Sequence, residues 1–99
     1  MYSIEELASI VKEAVAEHPV SSVTLVGSYA KNNATDSSDV DLVLDGEDIA
    51  EAYWEILSFL EDRLKVPVDI ITMRGLENSL LKDAVMEGAV TLYEASFNS

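Results

Sequence analysis

The sequence contains no cysteine and a single histidine, and these two absences exclude several kinds of site. Without cysteine, the chain can form neither a disulfide nor a thiolate metal site. The one histidine, His18, follows the end of the first predicted helix, where we expect a surface residue without a catalytic role. Any metal bound by this chain would therefore be a hard cation held by oxygen ligands.

Basic residues are also scarce, since 6 lysines and arginines face 19 aspartates and glutamates. The formal net charge of −13 repels nucleic-acid backbones and anionic membrane surfaces. We therefore expect no direct nucleic-acid partner and no membrane partner. A basic protein, in contrast, would be attracted to this chain.

Long hydrophobic runs are missing too. No apolar run approaches the roughly 20 residues that span a bilayer, and the N-terminus lacks the layout of a signal peptide, so we expect a cytoplasmic protein. The 99 residues, 48% hydrophobic and 25% charged, are typical of one folded domain over residues 1–99. A domain of this size is too small for a two-lobed substrate cleft, which a partner chain in a homo- or hetero-oligomer would have to complete.

Hydrophobic periodicity and turn residues predict alternating helices and strands. Ser3 and Glu6 form a capping box at the start of the first helix. The predicted elements are helices at 3–17, 29–32, 48–64 and 78–87 and strands at 20–26, 40–44, 68–72 and 89–93, with a tail at 94–99. These elements predict an α/β fold of mixed order, in which a small mixed sheet is packed by helices. The order of the strands does not follow from the sequence.

Two of the predicted helices carry apolar faces that should pack on the sheet. In the helix at 48–64, we expect Trp54 and Phe59 to widen this face rather than to stack on nucleic-acid bases, because no basic residues are interleaved with them. In the last helix, we expect Leu80 and Leu81 to contribute to the buried side and Asn78 to cap the first turn.

The residues that indicate chemistry lie around the first two predicted strands. The first strand ends at Gly27 and Ser28, a polar loop follows, and Asp39 and Asp41 lead into the second strand. Because residues two apart in a strand point to the same side, these two carboxylates converge on one point. A third carboxylate, Asp69, stands alone in an apolar strand, where a buried charge is costly unless it is paired or binds a cation.

These residue types suit phosphoryl or nucleotidyl transfer. Carboxylates are the ligands that Mg²⁺ prefers, and Asp39, Asp41 and Asp69 could hold two metal ions, one on a triphosphate and one on the attacking hydroxyl. Gly27 has no Cβ, so the backbone could approach a phosphate closely, and Ser28 adds a hydroxyl. The amides that begin the short helix would favour an anion. The sequence therefore predicts a combined metal and phosphate site.

The complete pattern resembles that of the polymerase β-like nucleotidyltransferases, which combine Gly-Ser, Asp-x-Asp and a later Asp in an apolar strand. More closely, it resembles the minimal nucleotidyltransferase proteins, also called MntA-like. The segments that carry this resemblance are Gly-Ser-Tyr-Ala-Lys, Ser-Asp-Val-Asp-Leu-Val, Val-Asp-Ile-Ile and the closing Glu-Gly-Ala-Val-Thr-Leu-Tyr-Glu. Together they extend over nearly the whole chain, and the composite motif is far more specific than Asp-x-Asp alone.

The resemblance implies a nucleotidyltransferase fold and assigns roles to residues. It implies that Asp39 and Asp41 are metal ligands, and that Asp69 is the third carboxylate, which assists the acceptor hydroxyl. It implies that Gly27 and Ser28 form the phosphate-binding turn. The implied cofactor is Mg²⁺, with two ions, and the implied nucleotide donor is ATP.

One position departs from the family's pattern. The family usually carries Arg and then Gly after the Gly-Ser-x-Ala segment, whereas this chain has Lys31 and Asn32. Lys31 keeps the positive charge for nucleotide binding but lacks the bidentate fork of arginine. Asn32 tolerates a left-handed backbone better than most residues other than glycine.

The resemblance also implies a partner. Members of the family are often encoded beside a helical HEPN protein, and in the MntA–HepT toxin–antitoxin systems the nucleotidyltransferase adenylylates this ribonuclease on tyrosine. The chain therefore resembles an antitoxin whose acceptor is a HEPN-type partner protein. The small size of the chain agrees with an acceptor that is supplied by another protein.

Other interpretations of the acids stay open. Asp39, Asp41 and Asp69 could be solvated surface residues, or the chain could be a non-catalytic interaction module that neutralises a partner by binding alone. A purely binding protein has no use for three mutually repelling carboxylates, which favours the enzyme. An EF-hand loop does not fit, since positions 5 and 6 counted from Asp39 are Val43 and Leu44. Transfer to a small molecule ranks lower, because 99 residues can hardly enclose an acceptor pocket.

Overall fold

The computed structural model describes residues 1–95, and the predicted tail residues 96–99 lie outside this range. The helices and strands are α1 (Ile4–Val15), β1 (Val20–Val26), α2 (Gly27–Ala30), β2 (Val40–Gly46), α3 (Ala50–Leu64), β3 (Val68–Thr72), α4 (Met73–Glu77), α5 (Lys82–Met86) and β4 (Val90–Glu94). The four predicted strands are thus all present, and Glu94 ends β4 instead of beginning the tail. Within the described range, no helix is long and apolar enough to cross a membrane.

The four strands form one mixed sheet in the order β3-β2-β1-β4. β1 pairs antiparallel with both β2 and β4, whereas β2 and β3 are parallel and are connected through α3. A parallel pair needs such a crossover, because the chain must return to the edge of the sheet from which it started. The mixed α/β architecture predicted from the sequence is confirmed.

Local signals account for the ends of several helices. The predicted capping box of α1 is present, with the Ser3 hydroxyl accepting from the Glu6 amide and the Glu6 carboxylate accepting from the Ser3 amide. α1 ends at Val15, two residues before the predicted end. α3 ends at Leu64, and the residue that follows it, Lys65, has a left-handed φ of 60°. Such a residue terminates the helical hydrogen-bonding pattern.

The region after β3 differs from the prediction. We expected one helix over 78–87, but the chain forms two short helices, α4 and α5, with Asn78 at the end of α4 rather than at the start of a helix. The Thr72 hydroxyl accepts from the Gly75 amide and so caps α4, while the Asn78 side chain donates to the Arg74 carbonyl. These two side-chain bonds satisfy backbone groups at both ends of α4, a local effect that apolar spacing does not reveal.

The two faces of the sheet are covered unequally. Val40, Leu42 and Leu44 of β2 point into the main core, where they meet the buried sides of α1 and α3. On the opposite face, Val26 and Val43 form a smaller core with residues from α4 and α5. Because α4 and α5 have only five residues each, this second face is only partly covered. The site predicted from the sequence lies on this second face.

Three large apolar residues that we expected to be buried are exposed. Trp54 is 68% exposed, and Leu80 and Leu81 are 103% and 65% exposed. The buried side of α3 consists of residues four apart, Ala52, Ile56, Leu60 and Leu64. Trp54 lies two residues from the nearest of these, which places it on the opposite side of the helix. Leu80 and Leu81 precede α5 instead of forming its inner face.

We expect Leu25→Ala to destabilise the domain by about 2–5 kcal/mol, because this fully buried side chain would leave a cavity in the main core. Leu80→Ala, which removes the same atoms from an exposed position, serves as the matched control and should leave stability almost unchanged. Urea unfolding monitored by circular dichroism measures both variants. Equal losses in the two variants would contradict the assignment of the core.

Candidate functional site

The three predicted aspartates lie at the same end of two neighbouring strands. Since the even-numbered residues of β2 enter the main core, Asp41 points to the partly covered face, and Asp39 precedes it by two residues. Asp41 is in direct register with Asp69 of β3 in the parallel ladder. Neighbouring strands are about 4.8 Å apart, so these two residues are immediate cross-strand neighbours. The structure therefore brings together side chains that are 28 positions apart in the sequence.

Asp69 is exposed, although its position in an apolar strand suggested that its charge would be buried. Asp69 and Asp39 are exposed, whereas Asp41, between them, is half-buried. Asp69 alternates with Val68 and Ile70, which are buried in the main core, so its side chain faces solvent on the second face. Exposure of the outer two carboxylates lowers the free energy needed to hold three like charges at one site.

The environment of Asp41 disfavours its charged form. Burial raises the pKa of the Asp41 carboxyl above its ordinary value of 3.8, and the negative charges of Asp69 and Asp39 raise the pKa further. Both effects have the same sign because each makes a negative charge at this position less favourable. A bound cation would act in the opposite direction, since it would compensate the charge of the three carboxylates.

Gly27 lies against this carboxylate. Its φ of +75° is left-handed, and a Cβ added there would lie 2.5 Å from Oδ2 of Asp41. The preceding residue, Val26, is the cross-strand partner of Asp41, so the end of β1 positions the glycine beside the acid. We predicted that glycine is needed for a close approach to a phosphate. The structure adds a second reason, which is the space that Asp41 itself requires.

Ser28 belongs to α2, the single helical turn that Gly27 begins. This turn is anchored by Tyr29, whose side chain is only 5% exposed and packs in the main core. It begins two residues earlier than the predicted helix at 29–32, so Ser28 lies inside the turn instead of ahead of it. The first amides of the turn have no partner within the helix and are available to an anion.

Lys31 and Asn32 follow this turn. Asn32 has a left-handed φ of 60°, which agrees with the backbone tolerance that we expected of asparagine at this position. Lys31 is exposed and forms no ion pair within residues 1–95. Its stem packs beside Gly88, where an added Cβ would lie 3.3 Å from Cγ of the lysine. Local sequence patterns do not predict this contact, because it joins segments that are far apart in the chain.

The carboxylates do not form a closed metal site. No group of three or more Asp, Glu or His side chains in the described part of the chain is arranged to hold a metal ion. The donor set itself, three carboxylates whose charges disfavour one another, has the chemistry that suits a hard divalent cation. The assignment of Asp39, Asp41 and Asp69 as ligands stays a prediction. His18 lies outside this group, with its Nε2 3.5 Å from Oε2 of Glu55.

The chain is similar to known proteins both in sequence and in structure. A family model described as nucleotidyltransferase domain matches residues 4–92. The protein adenylyltransferase MntA of Thermococcus cleftensis is 30% identical over 93 residues, which cover 88% of this chain and 94% of that protein. A crystal structure of a toxin–antitoxin with AMP-PNP has a TM-score of 0.70 at 20% identity and covers 90% of this chain and 74% of that chain.

A second crystal structure, of an MntA-HpeT toxin–antitoxin mutant, has a TM-score of 0.68 at 16% identity. The match covers 96% of this chain and 76% of that chain. At these identities the two structures establish the likeness of the fold. They confirm the nucleotidyltransferase fold that the sequence motifs predicted.

We expect Asp41→Asn to raise the melting temperature of the metal-free protein by a few degrees at neutral pH, because it removes a charge that burial and two neighbouring carboxylates disfavour. The native pKa of Asp41 is raised, so the charge destabilises the folded state at pH values above that pKa. The gain should shrink as the pH falls through the raised native pKa towards the ordinary value of 3.8, because the Asp41 carboxyl of the folded wild-type protein becomes protonated over this range. Thermal unfolding at several pH values measures the effect.

The matched control is Asp45→Asn, which changes an exposed aspartate on the same face of the same strand, four residues away. It should change the melting temperature much less. An equal gain in both variants would mean that general charge repulsion, rather than the surroundings of Asp41, limits stability.

We expect Gly27→Ala to destabilise the domain by roughly 1–2 kcal/mol or more, because the new methyl group adopts a left-handed φ and meets the Asp41 carboxylate. In an Asp41→Ala background the same change should be less destabilising, since the opposing oxygen is gone. Urea unfolding of the four proteins in this double-mutant cycle gives the coupling energy between the two sites. Additive losses would show that Gly27 does not need to accommodate Asp41.

Proposed function

The chain belongs to the nucleotidyltransferase domain family, and from this membership we propose that it transfers the adenylyl group of ATP to a hydroxyl of a partner protein. We further propose that the acceptor is a tyrosine of a HEPN-type helical protein and that the chain acts as the antitoxin of a toxin–antitoxin pair. The name of the Thermococcus cleftensis relative, protein adenylyltransferase MntA, supports the reaction class. The toxin–antitoxin structures that share the fold support the biological setting.

One observation carries the proposal: the half-buried Asp41 lies between Asp39 and Asp69 and against Gly27. Burial and the two neighbouring carboxylates disfavour the charged form of Asp41, and a bound cation would compensate for this. In this proposal, Asp39, Asp41 and Asp69 hold Mg²⁺, and the bound ions supply charge compensation for the nucleotide phosphates and an activated acceptor oxygen. A non-catalytic binding module would gain nothing from such repulsion.

The transfer itself is a substitution at the α-phosphorus of ATP. The bond between the acceptor oxygen and the α-phosphorus forms, the bond to the β-phosphate oxygen breaks, and pyrophosphate leaves. The acceptor hydroxyl gives up its proton, and we assign Asp69 as the carboxylate that assists its removal. Asp69 suits this task because it is exposed to an incoming protein and adjacent to Asp41.

The nucleotide phosphates would contact the turn at Gly27 and Ser28. Free amides of this turn and the Ser28 hydroxyl can donate to phosphate oxygens. Lys31 follows on the same turn and is the nearest basic residue in the sequence, and its charge is not neutralised by an acidic neighbour within residues 1–95. Such a lysine can offset phosphate charge as a point charge, without the bidentate geometry of arginine.

We expect a gain of one or more adenylyl units in the intact mass of the HEPN-type acceptor after incubation with this protein, ATP and Mg²⁺. Asp41→Asn should reduce this transfer to background, because it removes a proposed metal ligand, while Glu17→Gln, which changes an exposed carboxylate just after α1, should retain it. Peptide mass spectrometry would then locate the acceptor tyrosine. Undiminished transfer in Asp41→Asn would overturn the site assignment.

A binding measurement separates catalysis from simple association. ATP with Mg²⁺ should raise the melting temperature of the wild-type protein by mass action on the folded state, and the shift should be smaller in Asp41→Asn. No shift at saturating ligand, together with a stable complex between the two unmodified proteins, would favour the non-catalytic interaction module.

A further inference from the structure

A cleft lies away from the proposed transfer site. It has a volume of about 930 Å³ and lies where β2 ends, α3 begins and β3 passes into α4. We call it the acidic cleft. Its lining includes five charged side chains and one tryptophan, namely Asp45, Glu47, Asp48, Arg74, Glu77 and Trp54. None of the aspartates of the transfer site lines it. The transfer mechanism does not use this cleft.

Trp54 is the distinctive residue of the acidic cleft. It is the only tryptophan of the chain, and 68% of its surface is exposed. Its ring meets the edge of the Tyr53 ring at a centroid distance of 5.1 Å and an interplanar angle of 84°. A large exposed aromatic side chain in a cleft is typical of an interaction site, because burying it on binding removes a large apolar area from water.

The surroundings of Trp54 determine the charge of the ligand. Asp45, Glu47, Asp48 and Glu77 are all exposed, and none of them takes part in the ion pairs found within residues 1–95. Against these four carboxylates the cleft has one cation, Arg74. Phosphates and other anions are therefore repelled, whereas a cation can contact the carboxylates and the face of the indole ring together.

A second copy of this chain is a poor ligand for the cleft. Its six basic residues are scattered singly along the sequence, and two of them, Arg63 and Lys65, already pair with carboxylates of their own chain. No segment of this chain presents several cations together. A different protein is therefore the better source of a basic segment.

We propose that the acidic cleft docks a segment of the partner protein rich in arginine or lysine, with one cationic side chain against Trp54. Asp45 lies four residues from Asp41 on the same strand and the same face, which separates the cleft from the transfer site by about 13 Å. One partner can therefore occupy the cleft and present a hydroxyl to Asp41. This inference rests on the proposed function only in assuming that a protein partner exists. Binding of a basic peptide to the cleft is measured without nucleotide, so its failure can be distinguished from a failure of adenylyl transfer.

The probe is a short synthetic peptide of alternating arginine and alanine, added to the full chain at physiological ionic strength without nucleotide. Because Trp54 is the only tryptophan, its emission reports on the cleft directly. We expect a saturable shift of the emission to shorter wavelength, and no shift with a peptide of alternating glutamate and alanine. Unchanged emission with the arginine peptide, or a shift on raising the protein concentration alone, would overturn the proposal. The second outcome would indicate self-association.

Variants test whether the contact is local. With a fluorescently labelled arginine peptide, Trp54→Ala should weaken binding about two- to fivefold, and Trp54→Phe should restore most of the loss. Glu47→Gln combined with Asp48→Asn should weaken binding more than Glu5→Gln combined with Glu17→Gln. The second pair removes the same charge from exposed positions on α1 and just after it. Equal losses in the two pairs would mean diffuse attraction to an acidic protein and would contradict a docking cleft.

Discussion

The half-buried carboxylate of Asp41, held beside Asp39 and Asp69, is the feature around which the candidate site is arranged. Asp41 is half-buried beside Asp39 and Asp69, and burial together with their charges raises its pKa. Backbone pairing holds the charges in place, since the ladder between β2 and β3 sets Asp41 opposite Asp69. Gly27 then completes the arrangement by leaving room for the Asp41 oxygen. The protein thus maintains a locally unfavourable site by means of a sheet that is stable elsewhere.

The two faces of the sheet are covered unequally, and most of the apolar burial that stabilises the fold is on one of them. The long helices α1 and α3 cover one face and provide most of the buried apolar residues. The other face has only the short helices α4 and α5 and a small core around Val43. Because the main core stabilises the fold by itself, the second face can remain open and carry polar residues that do not contribute to stability. Because side chains alternate along each strand, one face of the sheet carries the main core and the other face carries the candidate site.

The positions of the acidic residues along β2 suggest a use for the excess negative charge. The aspartates of the transfer site lie at one end of β2, and the acidic cleft with Trp54 lies at the other end. At the transfer site the negative charges are close together and suit a compact cation. In the cleft they are spread around an aromatic ring and suit the extended cation of an arginine or lysine side chain. Under the two proposals, one net charge of −13 would serve two different kinds of recognition.

Features that depend on near neighbours in the chain could be predicted from the sequence. Alternation along the strand predicted that Asp39 and Asp41 point the same way, and the capping box predicted the start of α1. The motifs also predicted the fold class, since their spacing along the chain resembles that of a known family. The roles assigned to Asp39, Asp41 and Asp69 in metal binding and transfer stay predictions.

Only the tertiary structure decided features that depend on pairing between distant segments. The order of the strands and the register of Asp41 with Asp69 follow from the packing of the whole sheet, which no local pattern specifies. The same is true of Trp54, which apolar spacing assigned to the core. The side of α3 that packs on the sheet consists of residues four apart. Trp54 lies on the opposite side of the helix and is therefore exposed to solvent. Helical periodicity limits which residues can share a face, but the neighbouring elements decide which face is buried.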